Sequence, residues 1–271
     1  MFLRKAILTF TFLMQLCIGG STLAQTTTQP PPFGDKHVGG DVPIDERLKK
    51  APGRNAVPAE DRVLTNGPLA PSKEDRMAFA SFLRNPDTGL IRLLQPGKVP
   101  LRPGLTAMFG SGASYSFANL THLSRYGSDI SLSLDQLSVN FMSGYGFMTN
   151  LGDVPLEGVM LTDQHAGFIA AYEPAITLLQ ARAETLRFRQ AVVVEGKSYQ
   201  ARLPVELNST YIVRSINYGQ PLFGPNSSSG VSAEGRRTDV LVAFRAVRKD
   251  ADGNLTIVWK LLKKYPEPKL D

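Results

Sequence analysis

Histidine is the side chain that ordinarily titrates near neutral pH, and this 271-residue chain has three. His37 lies in a Pro-rich stretch, which leaves His122 and His165 as candidate general bases. Asp129 follows His122 by seven residues, Asp163 precedes His165 by two, and Ser124 and Thr162 lie close by in sequence. An imidazole, a carboxylate and a hydroxyl are the parts of a hydrolase, so a secreted hydrolase built on a His–acid pair is the enzyme reading. No Gly-x-Ser-x-Gly elbow supports it: Gly110-Ser111-Gly112-Ala113-Ser114 surrounds one serine with glycine but breaks that five-residue pattern. Asp129, Asp153, Glu157 and Asp163 could supply carboxylates for glycoside cleavage, yet no spacing singles out a pair.

Metal and cofactor chemistry have less to work with. Asp250-x-Asp252-Gly253-Asn254 offers oxygen ligands at alternate positions, but no Glu closes the loop as in an EF-hand. An Asp-Gly between two alternating apolar runs is what a tight hairpin requires, so a turn is expected there and no metal site. Gly144-Tyr145-Gly146 lacks the third glycine and the following helix of a dinucleotide cradle, so no nucleotide cofactor is implied.

The remaining candidates are contact residues rather than catalysts. Tyr145 and Phe147 are aromatic side chains on a glycine-rich backbone. The 20 residues from Gly219 to Thr238 interrupt two strand-like runs, a length that marks either a binding loop or disorder, and the Ser-rich centre favours disorder. Tyr145, Phe147, Phe223 and Arg236 are therefore the expected ligand-binding residues. Trp259, the single tryptophan, reads as a packing residue because apolar neighbours alternate around it.

The address is more legible than the activity. Arg4 and Lys5, an apolar run from Ala6 to Ile18, and Thr22-Leu23-Ala24 have the order of a secretory signal cleaved after Ala24. The run is shorter than the ~20 residues that span a bilayer, so no transmembrane anchor is expected after cleavage. Cleavage also discards Cys17, the only cysteine, which excludes disulfides and thiol chemistry from the mature chain. A secreted or periplasmic protein that uses no disulfide fits a bacterial source. Charge is uneven: residues 25–180 carry 13 basic and 15 acidic side chains, residues 181–271 carry 15 and 9. Basic residues interleaved with stacking aromatics are missing, so a nucleic-acid partner is not expected.

Residues 25–70 read as a Pro-rich flexible tail, and 71–271 as a β-rich globular domain. A helix should begin at Ser72, with Asp75 in capping-box position and Met77, Phe79, Ala80 and Leu83 as its apolar stripe. A second helix, Pro174 to Arg187, should bury Ile176, Leu179, Ala183 and Leu186. Period-two alternation predicts strands near 91–94, 115–117, 130–134, 137–141, 192–194, 199–203, 211–216, 240–248 and 255–265. The expected fold is mainly β with two short helices, an antiparallel two-layer sandwich or an open barrel. The expected function is an exported non-enzymatic domain that binds a glycan or an envelope protein, with the hydrolase and a structural envelope protein as alternatives.

Overall fold

The computed structural model describes residues 62–96, 112–122, 127–139, 142–162, 166–224 and 236–271. The signal-like segment, most of the Pro-rich tail, Asp163, His165 and the centre of the Gly219–Thr238 segment lie outside the described residues. The described residues belong to the unit Pro52–Asp271.

The protein is mainly β and its sheets are antiparallel. In chain order the elements are α1 (Lys73–Ala78), β1 (Thr88–Leu93), β2 (Ser114–Tyr115), β3 (Ile130–Ser133), β4 (Gln136–Val139), β5 (Gly144–Gly152), α2 (Gly167–Ala171), α3 (Leu178–Arg189), β6 (Val192–Val194), β7 (Lys197–Tyr199), β8 (Arg202–Pro204), β9 (Thr210–Asn217), β10 (Thr238–Lys249) and β11 (Leu255–Lys264). Five strands form a sheet in the order β1-β11-β10-β9-β5, four form a second in the order β2-β3-β4-β8, and β6 and β7 make a separate hairpin.

The five-stranded sheet is covered on both faces, which explains why β9 is buried along its whole length. Tyr211 and Val213 of β9, with Val240, Val242, Phe244 and Ala246 of β10, share a core with Ile130, Leu132, Leu137 and Val139 of the four-stranded sheet. Ile212 and Ile216, with Leu241 and Ala243, join Tyr145, Phe147, Ala181 and Phe188 in a second core under the helices. Two sheets therefore share one core, as in a sandwich, and a helical layer covers the outer face of the larger sheet.

Most strand expectations meet a counterpart, including the β3–β4 hairpin in register Ile130↔Val139 and the β10–β11 pair in register Phe244↔Trp259. The Asp250–Asn254 connection is a turn: Asp250 Oδ1 accepts from the Asp252 and Asn254 amides, and Gly253 has φ 80°.

The helices depart from expectation. Ser72 caps α1 by accepting from the Asp75 amide, but the helix ends at Ala78 and its buried residue is Asp75, which is paired with Arg248, while Met77 is exposed. Five-residue α2 was not anticipated, so the described residues hold three α-helices rather than two. α3 begins later than expected, behind a capping box formed by Thr177 and Gln180, and presents the opposite face. Ala181, Thr185 and Phe188 are buried, and Ile176, Leu179 and Leu186 are exposed. The reason is local fit. Phe188 stacks on Phe147 of β5 with ring centroids 4.0 Å apart, Ala181 leaves room beneath the helix, and the Thr185 hydroxyl donates to Ala181 O and so can be buried.

Candidate functional site

The Gly144–Phe147 segment is the first correction at the level of the site. It is the start of β5 rather than a flexible exposed stretch, and Tyr145 and Phe147 are fully buried. Gly146 is there for close approach: a Cβ would lie 2.3 Å from both Arg214 O and Val139 Cγ1, so the second sheet could not pack against β5. Tyr145 Oη accepts from the Ala175 amide at 2.9 Å and lies 3.0 Å from Tyr172 Oη, whose hydroxyl donates to Glu184 Oε2 at 2.7 Å. Burial is the largest cause that raises the pKa of both phenols, so they remain neutral hydrogen-bonding groups.

His122 and Asp129 are both buried, and they do not meet in a hydrogen bond. His122 Nε2 is 3.2 Å from Arg92 O, and since a carbonyl only accepts, the ring carries its proton on Nε2. Its Nδ1 is buried without a hydrogen-bond partner. The ring packs edge-on against Tyr115 at 4.9 Å, and burial pushes its pKa down to about 4, so it is neutral at pH 7. Asp129 ties a loop to the sheet: Oδ2 accepts from Ser116 Oγ and the Ala118 amide, both at 3.0 Å, and Oδ1 accepts from Ser215 Oγ of β9 at 2.7 Å. Burial raises the carboxyl pKa while these donors oppose the rise. The oxygens that would orient a catalytic imidazole are engaged in that fastening.

A second buried charge cluster was missed from sequence. Arg214 of β9 and Asp239 of β10 form a bidentate pair, Nε–Oδ1 and Nη2–Oδ2 both 2.9 Å, with both side chains almost fully buried. Arg214 Nη1 donates to Ile169 O and Ala170 O near the end of α2, where the helix dipole favours a cation, and the guanidinium lies 3.6 Å from the centre of the Tyr265 ring. Burial pushes the Asp239 carboxyl up and Arg214 holds it against that push. The available signal was opposite charges on neighbouring apolar strands, at positions of the same parity as the core face under the helices. The cluster has the geometry of a clasp and no access for a ligand.

The two other named contact residues are at the surface. Phe223 is 42% exposed, with the Arg182 guanidinium 5.9 Å from its ring centre, and Arg182 Nε donates to Leu222 O. Arg236 is exposed, next to Arg237, which pairs with Glu267 at 3.5 Å. A crevice between α3 and β8, bordered by Thr185, Arg189, Ala201 and Arg202, has room for about one water. No group of three or more potential metal ligands occurs among the described residues, and no described helix is long and apolar enough to cross a membrane. No family model, curated protein or solved structure matches the chain.

Proposed function

We propose that this protein is an exported, non-enzymatic β-rich domain that works by contact with another envelope component, a glycan or a protein, through the surface around Phe223 and Arg236. The observation that carries the reading is the division of the named residues. His122 and Asp129 are interior groups engaged in holding the fold, whereas Phe223 stands exposed beside an arginine. An exposed aromatic with the Arg182 guanidinium over one face suits a sugar ring or a partner's apolar anchor. The signal-like start supports export.

The test is a thermal-shift series on residues 25–271 with a panel of soluble glycans and peptidoglycan fragments, repeated with Phe223→Ala and Arg236→Ala. A stabilising ligand whose effect is lost in Phe223→Ala, with the unliganded midpoint unchanged, supports the reading. Turnover of a chromogenic ester or glycoside that disappears in His165→Ala would replace it with the hydrolase.

A further inference from the structure

We infer that the exposed face of α3 is a docking surface for a second copy of this chain, which pairs with it antiparallel about a two-fold axis near Ala183. On the solvent side of α3, opposite the buried Ala181, Thr185 and Phe188, stand Leu179 at 77% exposure and Leu186 at 52%, with Ala183 between them and Ile176 at 58% just before the helix. Aliphatic side chains repeated along one helix face are the pattern of a face that packs on something, and α3 already packs its other face on β5.

The charges say what that something is. The C-terminal end of the stripe is basic: Arg187 and Arg189 are exposed, and Arg189 forms no ion pair among the described residues. The other end is acidic, because Glu173 is exposed there and Asp271, whose amide donates to Ile176 O, brings a second exposed carboxylate side chain to the same place. The one acid within α3, Glu184, is held by the Tyr172 hydroxyl and by Arg187. An antiparallel partner with the same face sets Leu179 of one copy against Leu186 of the second and small Ala183 near the axis. The same alignment carries Arg189 of each copy to the Ile176 end of the other, where the acids lie. A two-fold interface must be self-complementary in this way. A parallel pairing would set arginine against arginine. An anionic bilayer would attract one end of the face and repel the other.

A single helix pair is small beside a standard interface, so the dimer should dissociate at micromolar concentration. Analytical ultracentrifugation of residues 25–271 over a range from about 1 to 200 µM should show a reversible monomer–dimer equilibrium. Leu179→Glu with Leu186→Glu should weaken it by at least a hundredfold. Arg189→Glu alone should weaken it about fivefold to tenfold, and mixing that variant with Glu173→Arg should recover a heterodimer. Both substitutions are on exposed positions, and circular dichroism of each variant checks the fold. A monomer throughout the range, a dimer indifferent to Leu179 and Leu186, or loss of the same face to vesicles containing anionic lipid would overturn the inference. A monomer would leave the proposed ligand contact at Phe223 standing, since that contact is read out by ligand response.

Discussion

The indole of Trp259 occupies the space left by the missing side chain of Gly89, its register partner across β1 and β11. A Cβ at Gly89 would lie 2.5 Å from Trp259 Cε2 and Nε1, well inside contact distance. The ring reaches on to Tyr115 of β2 and to Phe117 just beyond it, with centroids 6.2 and 5.3 Å apart, so this glycine lets the tryptophan bridge the two sheets. Gly89→Ala should therefore cost about 1–3 kcal/mol through overpacking. In a Trp259→Phe background the same change should cost less, because the smaller ring vacates part of the contested space. A double-mutant cycle by urea unfolding measures the coupling, and additive costs would show that the two residues do not contend.

Arg214 and Asp239 should be far more sensitive singly than together. Arg214→Met leaves a buried carboxylate without its bidentate partner, and such a loss costs about 3–5 kcal/mol. Arg214→Met with Asp239→Leu removes both charges and should recover most of that. The comparison is again made by equilibrium unfolding; a single substitution costing under about 1 kcal/mol would mean that water reaches the pair.

His122 should make the protein acid-sensitive. Its pKa falls from 6.5 to about 4 on burial, so between those values the unfolded chain binds more protons than the folded one. The stability of keeping the ring neutral is complete above about pH 6.5 and is lost as pH falls toward 4, amounting to about 3 kcal/mol. Asp129 acts with the opposite sign, since its raised carboxyl pKa favours folding when it is protonated and loses that advantage as pH rises. Unfolding free energies from pH 4 to 7 should show a slope that His122→Leu flattens and Asp129→Asn steepens. A slope unchanged in His122→Leu would assign the acid sensitivity elsewhere.

The reversal of α3 can be measured directly. Phe147→Ala deletes a fully buried ring stacked on Phe188 and should cost about 3–5 kcal/mol. Leu179→Ala, measured in dilute solution, should change stability by no more than about 0.5 kcal/mol. Equal costs at the two positions would contradict the helix orientation.

The sequence by itself determined the local elements. Alternation placed β3, β4, β9, β10 and β11 because a strand with a buried face must repeat every two residues, and Ser72 announced α1 because its hydroxyl satisfies a helix-start amide. Asp250 to Gly253 could be read as a turn from backbone preference alone. Only the tertiary structure decided which apolar residues became interior. Tyr145 and Phe147 look exposed when a Gly-x-Gly is taken for flexibility, but Gly144 lets the β9 backbone approach and Gly146 admits Val139 of the second sheet. Leu179 and Leu186 look buried by periodicity, but Phe188 and Ala181 fit the surface of β5 better. His122, Asp129, Arg214 and Asp239 carry the same charges in sequence whether they catalyse or clasp. Their roles follow from which carbonyls, hydroxyls and carboxylates the fold brings to within 3 Å or so of each, and those partners lie up to 86 residues away along the chain.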